Sequence, residues 1–185
     1  MSLPFGLLGL LTYQDSTGYD LTKSFEDSLN NFWHAQSSQI YRELDRMEQK
    51  GWVTSRNIIQ DKRPNKRLYS ITEAGRESLM AWLSEAAPEF DHPHEAILMR
   101  VFFGADAPEV TLALLKSCRD MCIKAIDEYP KDIQGKIDQY AAALPDGDKK
   151  RLYWEMTLEY GAEHTRATAE WAQRCIDKLE KGSQT

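Results

Sequence analysis

The chain has 185 residues with 42% apolar and 10% aromatic side chains, and 29 acidic against 23 basic residues give it a formal net charge of −6. Such an apolar share excludes a disordered chain and supplies a core for one domain with an appendage or for two small domains. The mean hydropathy of −0.58 and apolar runs far shorter than the roughly 18 residues of a membrane span exclude an integral membrane protein.

The first fifty residues contain three predicted helices. Residues 3–12 are mostly apolar and end at a polar turn, and residues 18–29 repeat apolar side chains mainly every four positions. The third helix spans residues 36–50, and Gly51 follows it where a left-handed C′ residue belongs. Its inward-facing stripe consists of Ile40, Leu44 and Met47.

The hydrophobic period then changes from about four to two. Residues 52–58 and 66–71 read as two strands, and the polar segment 60–65 between them has the composition of a hairpin tip. Thr72 follows as the predicted N-cap of a fourth helix, with Glu73 in its first turn. Three helices, a hairpin and a fourth helix form the pattern of a winged helix-turn-helix domain with a two-stranded β-hairpin wing.

Charge is distributed unevenly along this acidic chain. Residues 32–70 contain eight basic and four acidic side chains, a net charge of +4, which leaves −10 for the remainder. A basic region inside an acidic protein is what one face needs to approach phosphates. Charge alone is equally compatible with a solvated surface.

The start of the third helix carries side chains that can contact bases. Gln pairs with adenine, Ser serves donor or acceptor edges, and Arg42 can bind guanine or phosphate. Simple N-capping is the alternative for the polar run, and the adjacent basic hairpin favours DNA contact. The predicted DNA-binding residues of this helix are Gln36, Ser37, Ser38, Gln39, Tyr41 and Arg42.

The hairpin supplies the remaining predicted DNA contacts. Basic side chains at its tip would lie across phosphates or enter the minor groove, where the potential is most negative. These residues are Lys62, Arg63, Lys66 and Arg67.

The second half of the chain is predicted to be wholly helical. Prolines at 88 and 93 mark a boundary between a DNA-binding domain, residues 1–87, and an all-α dimerisation domain, residues 92–185. The long apolar pattern from Ala107 to Ala143 is interrupted at Pro130, with Gly135 as a second candidate break. The last helix covers residues 149–181, so the fold class is mainly α.

An apolar stripe on the last helix repeats every 3.5 residues and predicts a homodimer. Its residues are Tyr153, Met156, Tyr160, Ala167, Trp171 and Leu179. The alternative is packing within one chain against residues 112–126.

No pattern in the sequence predicts catalysis, a metal or a cofactor. His92 and His94 flank a proline without a third ligand, and there is no glycine-rich phosphate loop or nucleophile elbow. The odd number of three cysteines, Cys118, Cys122 and Cys175, indicates reduced thiols. With no signal peptide pattern, we expect a cytoplasmic protein.

A pocket for a small-molecule effector is a further prediction, although the sequence does not identify the ligand. Aromatic and methionine side chains could line it between the two halves or at the dimer interface, and core packing is the alternative. The residues are Trp82, Met99, Phe102, Met121, Trp154 and Trp171.

Several segments of the first 85 residues together resemble the PadR family of bacterial transcriptional regulators. They are residues 7–11 (LLGLL), 17–21 (TGYDL), 40–44 (IYREL), 47–53 (MEQKGWV) and 67–75 (RLYSITEAG). The helical half is similar to the branch with an AphA-like C-terminal domain. The resemblance implies a homodimer joined through its C-terminal helices, with double-stranded DNA as partner and Tyr41 as a DNA contact. His34-Ala35-Gln36 departs from the small, Pro- or Gly-containing segment that usually precedes the recognition helix.

The sequence thus predicts a DNA-binding transcriptional regulator, with repression favoured over activation. The alternative from another class is a winged-helix module that binds an acidic protein partner without specific DNA binding. Steeply salt-dependent binding to a preferred duplex distinguishes the first from the second.

Overall fold

The computed structural model describes residues 2–29, 32–59, 66–85 and 96–182, apart from the side chains of residues 129–132 and 182. The chain divides into two compact units, residues 1–87 and 88–185. The elements of the first unit are α1 (Leu3–Leu11), β1 (Ser16–Thr17), α2 (Gly18–Ser28), α3 (Ser37–Gln49), β2 (Val53–Ile58), β3 (Lys66–Ile71) and α4 (Glu73–Ser84). The predicted succession of three helices, hairpin and helix is confirmed.

Local signals explain where these elements begin and end. Thr17 caps α2 by accepting a hydrogen bond from the amide of Asp20 at 3.2 Å. Gly51 follows α3 with a φ of 71°, a left-handed conformation that disfavours residues with a Cβ. Thr72 caps α4 by accepting from the amide of Gly75 at 3.1 Å, and its hydroxyl also donates to the Gly51 carbonyl at 2.6 Å. The base of the hairpin is therefore joined to the end of α3.

The wing is part of a three-stranded antiparallel sheet with the strand order β1-β3-β2. In the hairpin Ser55 lies opposite Tyr69 and Arg56 lies opposite Leu68. The short strand β1 adds a third member, because Thr17 pairs with Leu68 on the other edge of β3. The expected two-stranded hairpin is present, and the third strand extends it.

One apolar core holds this unit together. Leu8, Ile40 and Leu44 are completely inaccessible to solvent, so α1 and α3 pack directly on each other. Val53 and Tyr69 extend the core to the sheet. Phe5 stacks on Trp82 with ring centroids 4.9 Å apart, which fixes α4 against α1. The first unit thus holds α3 and the wing on one core.

The second unit is helical within the described residues. Its elements are α5 (Ala96–Phe102), a 3-10 turn (Gly104–Asp106), α6 (Pro108–Ala142) and α7 (Gly147–Gly182). The predicted break at Pro130 or Gly135 is wrong, because α6 continues through both residues. A proline inside a helix removes one backbone hydrogen bond and crowds the carbonyl four residues earlier. Buried residues on either side, such as Leu115 and Ile137, keep α6 in place despite that cost.

Helices α6 and α7 pack as an antiparallel pair. Leu115, Ala172 and Ile176 form a small buried cluster, and Ile133, Ile137 and Ala141 are buried further along α6. Polar contacts between the helices follow the same direction: Arg119 donates to Gln173 at 2.8 Å. Among the described residues, no helix has the length and apolar content that a membrane span requires.

Candidate nucleic-acid interface

The first turn of α3 presents its polar side chains to solvent. Gln36 is the N-cap residue, and Gln36, Ser37 and Ser38 are all exposed. Gln36 and Gln39 form a capping box: Gln39 Oε1 accepts a hydrogen bond from the Gln36 amide at 2.8 Å, and the Gln36 side chain accepts one from the Gln39 amide. A bidentate contact to adenine needs both the oxygen and the nitrogen of a glutamine side-chain amide. In this conformation both glutamines therefore cap the helix, which is the alternative that the sequence left open.

Tyr41 and Arg42 lie one turn further along the same helix. The side chain of Arg42 is exposed, and its Nε donates to the Ser38 carbonyl at 3.2 Å. The Tyr41 ring, which is 43% exposed, packs over the start of α2. A Cβ at Gly18 would lie only 2.5 Å from Tyr41 Cε1, so the glycine is what allows this approach. Tyr41 consequently joins α3 to α2 while its edge remains accessible.

The basic residues of the wing divide between the two faces of the hairpin. Successive side chains in a strand point to opposite faces. One face carries Lys66, its cross-strand partner Ile58, and Arg56. The side chains of Lys66 and Arg56 are exposed on this face. Arg67 belongs to the other face. The remaining predicted contacts, Lys62 and Arg63, lie outside the described residues.

Arg67 contacts α3 while part of its side chain remains exposed. Its NH1 lies 3.0 Å from Asp45 Oδ1, its NH2 forms an ion pair with Glu48, and its Nε donates to Ser55 Oγ at 2.7 Å. The guanidinium also lies over the Tyr69 ring, 5.1 Å from its centroid. All three nitrogens of Arg67 thus have partners within the protein, and its contact with phosphate stays a prediction.

The pKa values of Glu48 and Tyr69, which lie at this network, are both shifted. A hydrogen bond from Ser55 Oγ, at 2.6 Å from Glu48 Oε1, is the main reason that the pKa of Glu48 lies below its usual value, and Arg67 lowers it further. Burial raises the pKa of Tyr69, and the neighbouring Arg67 opposes that shift. The carboxylate of Glu48 thus stays charged to lower pH than a solvated one.

Ion pairs neutralise the described acidic side chains of this surface, so the unpaired charges that remain there are basic. Within the described part of residues 32–70, each acidic side chain has a basic partner: Glu43 pairs with Arg46, and Asp45 and Glu48 share Arg67. Arg56 and Lys66 are not members of any such pair in the described residues and are exposed. The net positive charge of the segment is therefore carried by side chains that can approach an anion.

Two exposed residues belong to this surface although the sequence analysis did not select them as contacts. Arg56 shares the outer face of the wing with Lys66, as strand alternation and the hairpin register could have indicated. Tyr19 is 68% exposed in the first turn of α2, directly after the glycine that Tyr41 covers. Only the packing of α2 on α3 brings Tyr19 near the recognition helix.

The predicted dimerisation stripe changes its environment along α7. Tyr153, Met156 and Tyr160 are large exposed apolar residues, and Ala167 is exposed as well. Trp171 and Leu179 are partly buried against the α6–α7 cluster of the same chain. A straight helix drifts about 20° per heptad from a 3.5-residue repeat, so the stripe turns from the free side of α7 towards α6.

The residues suggested for an effector pocket lie in both units. Trp82 stacks on Phe5 in the first unit, and Trp171 packs in the second. Met99, Phe102 and Met121 are exposed. In the described residues, no group of three or more potential ligands among His, Cys, Asp and Glu could hold a metal ion.

Comparisons with known proteins agree with this architecture. Residues 7–81 match the model of the transcriptional regulator PadR-like family, and residues 94–180 match that of the virulence activator alpha C-terminal region. The negative transcriptional regulator PadR of Bacillus subtilis is 34% identical over 101 residues, which cover 55% of this chain and 56% of that protein. The chain thus spans about half the length of this curated relative.

Solved structures with the same fold cover nearly the whole chain. The crystal structure of B. subtilis PadR with operator DNA has a TM-score of 0.73 at 23% identity and covers 97% of this chain and 99% of its own. A structure of the same protein with p-coumaric acid gives 0.70 at 24% identity with the same coverage. The Vibrio cholerae virulence activator AphA gives 0.72 at 28% identity, again covering 97% and 99%. Through these matches, residues 7–81 belong to the PadR-like family of transcriptional regulators, and residues 94–180 form an AphA-like C-terminal domain.

Proposed function

We propose that the protein is a sequence-specific DNA-binding transcriptional regulator that acts as a homodimer on a pseudo-palindromic operator. The observation that carries this proposal is the exposure, within one unit, of a polar helix start and a basic wing face. Gln36, Ser37 and Ser38 are exposed and carry polar groups that suit base edges. Arg42, Arg56 and Lys66 supply charge for phosphates.

The homodimer rests on the exposed part of the α7 stripe. Tyr153, Met156 and Tyr160 occupy positions i, i+3 and i+7, so they lie along one side of the helix. Exposed apolar stripes of this kind mark interfaces. A two-fold axis through α7 would present two recognition helices, about 34 Å apart, to successive turns of the DNA major groove.

We favour repression, because the curated relative from B. subtilis is a negative regulator. For such a regulator we expect a cytoplasmic location. Transcription from a promoter that carries the selected operator should fall when the protein is supplied and recover when it is removed. An increase on supplying the protein would show activation instead.

Selection of bound fragments from a random duplex pool tests the proposal directly. We expect one enriched sequence with two inverted half-sites, bound by two protomers. Weak and equal binding to every duplex would contradict specific regulation and support the protein-interaction module.

Substitutions in α3 then identify the residues that read the operator. Gln36→Ala and Ser38→Ala should each relax the preference at particular base pairs by roughly 1 to 3 kcal/mol. Gln49→Ala is the matched control, because Gln49 is equally exposed but lies at the opposite end of α3. Loss of preference in the control alone would reverse the placement of the helix in the groove.

A small-molecule effector forms a separate part of the proposal. The structure of B. subtilis PadR with p-coumaric acid supports small aromatic acids as the first compounds to test. We expect such an acid to release the bound operator in a saturable manner. Unchanged operator binding across a panel of these acids would remove this part and leave DNA recognition intact.

A further inference from the structure

We propose that Arg67 is a positioning residue, which holds the wing against α3 and thereby sets the geometry in which both contact DNA. This inference rests on the proposed function for its DNA readout. It assigns to Arg67 a role different from that of its neighbour Lys66, although the two residues are adjacent and both basic.

The contacts of Arg67 connect the wing to the recognition helix. The residue stands near the beginning of β3, while its carboxylate partners lie 22 and 19 residues earlier, on the last two turns of α3. Ser55 on β2 completes the network by accepting from Arg67 Nε and donating to Glu48. One guanidinium therefore joins two strands and one helix. We call the four residues of this network the wing clamp: Asp45, Glu48, Ser55 and Arg67.

The clamp depends on the geometry of arginine as well as on its charge. The three nitrogens of the guanidinium reach three different groups in a fixed planar fork. A lysine has a single ammonium group on a flexible stem and cannot reproduce this arrangement. By contrast, a contact with a DNA phosphate is satisfied by either cation.

The network also removes negative charge from the DNA-binding unit. Asp45 and Glu48 lie on the helix that would enter the major groove, where free carboxylates repel phosphates. Pairing with Arg67 compensates for part of this charge without any contact between Arg67 and DNA.

Loss of the clamp should affect recognition more than folding. The side chains of Arg67 and Glu48 remain 39% and 32% exposed, and ion pairs at such exposure contribute little to global stability. The core of the unit and Thr72 at the base of the hairpin remain unchanged in such a variant. The expected defect is a wing that is less well fixed relative to α3.

Operator binding by Arg67→Lys, Arg67→Gln and the neighbouring control Lys66→Gln distinguishes the two roles. We expect Arg67→Lys and Arg67→Gln to weaken operator binding to a similar extent, on the order of tenfold, with the salt dependence of binding unchanged. Lys66→Gln should reduce the slope of log affinity against log salt by about 0.9 per protomer, which corresponds to one lost phosphate contact. Full rescue by Arg67→Lys, or a reduced slope in Arg67→Gln, would overturn the proposal.

Hydrogen exchange without DNA provides an independent measurement on the full-length protein. Amides of β2 and β3 should exchange faster in Arg67→Gln and in Glu48→Gln, because each substitution removes one partner of the clamp. Exchange in Lys66→Gln should equal that of the wild type. Unchanged exchange in both clamp variants would overturn the proposal even if they bind DNA weakly. If the wild type prefers no duplex, the proposed function fails, while these exchange rates still decide whether Arg67 orders the wing.

Discussion

The two units of the chain bury their apolar residues to different extents. In the first unit, all four helices and the sheet contribute to one core that is closed within the chain. In the second unit the buried cluster is small, and many large apolar side chains remain exposed on α5, at the residue that follows it and on α7. They include Leu98, Met99, Phe102, Phe103, Tyr153, Met156 and Tyr160.

This difference separates what a single copy can stabilise from what needs a second copy. The recognition helix and wing lie on a core that is complete within one chain, so their geometry does not depend on assembly. The exposed stripe of α7 favours association of the second unit with another copy, because apolar surface of that kind is unfavourable in water. On this account, dimerisation brings together two DNA-binding units that are already folded in each chain.

The largest effect should come from the closed core. Met47 on α3 is completely buried, whereas Met80 on α4 of the same unit is 60% exposed. We expect Met47→Ala to lower the free energy of unfolding by about 2–5 kcal/mol, because it leaves a cavity. Met80→Ala should change it by less than about 0.5 kcal/mol. Denaturant unfolding measures both, and equal effects would show that the core is not closed as described.

The second prediction concerns the open stripe. Tyr160 is 70% exposed on α7, and Tyr19 is similarly exposed in the other unit. Tyr160→Ser should raise the dissociation constant of the homodimer about 30-fold, the effect of losing about 2 kcal/mol at an interface. Sedimentation velocity across a concentration series checks this value. Tyr19→Ser is the matched control, and an equal shift in both variants would exclude the α7 stripe as the interface.

A smaller effect is expected where the wing joins α3 and α4. Thr72→Ala removes the hydroxyl that caps α4 and contacts the Gly51 carbonyl, so it should reduce stability by about 1 kcal/mol. Thr72→Ser retains the hydroxyl and should be close to the wild type. Thermal unfolding of the three proteins compares them, and equal destabilisation by both substitutions would assign the effect to the lost methyl group.

The smallest expected effect is the pH dependence of the wing clamp. Because the folded-state pKa of Glu48 lies below its unfolded value, chiefly through Ser55, its contribution to stability is fully present above the unfolded pKa near 4.5. That contribution is lost as the pH falls through the lowered folded-state pKa. The stability difference between the wild type and Glu48→Gln should therefore shrink as the pH is lowered from 7 to 3. A difference that stays constant over this range would contradict the clamp at Glu48.

Local patterns were enough to predict the elements that form the first unit. The periodic apolar residues of α3 and the alternating strands of the hairpin carry their own signal. The left-handed Gly51 and the capping Thr72 were predicted from their residue types alone, because both conformations depend on near neighbours. By contrast, β1 is only two residues long, too short to show a period, and it exists through its pairing with β3.

The role of Arg67 could not be read from its immediate neighbours. Strand alternation separates it from Lys66, but its partners Asp45 and Glu48 become visible only when the hairpin packs on α3. The same limitation applies to Gln39, whose residue type suits base contact and capping equally well. Long-range packing decides such cases.

The C-terminal helices differ from their sequence patterns for another reason. A stripe with a period of 3.5 predicts one surface, but a helix with 3.6 residues per turn rotates its later part towards α6, where Trp171 packs. Pro130 predicts a helix end, but α6 packs along its length against α7 and continues through the proline despite the lost hydrogen bond and the crowded carbonyl.

The salt dependence of operator binding tests the central claim, that α3 and the basic face of the wing dock on DNA as part of a dimer. Five cations per protomer, Arg42, Arg56, Lys62, Arg63 and Lys66, would neutralise ten phosphates per dimer. We expect a slope of log affinity against log salt of about −9, with two protomers bound to each duplex. A slope near zero on the selected operator, or one protomer per duplex, would contradict it.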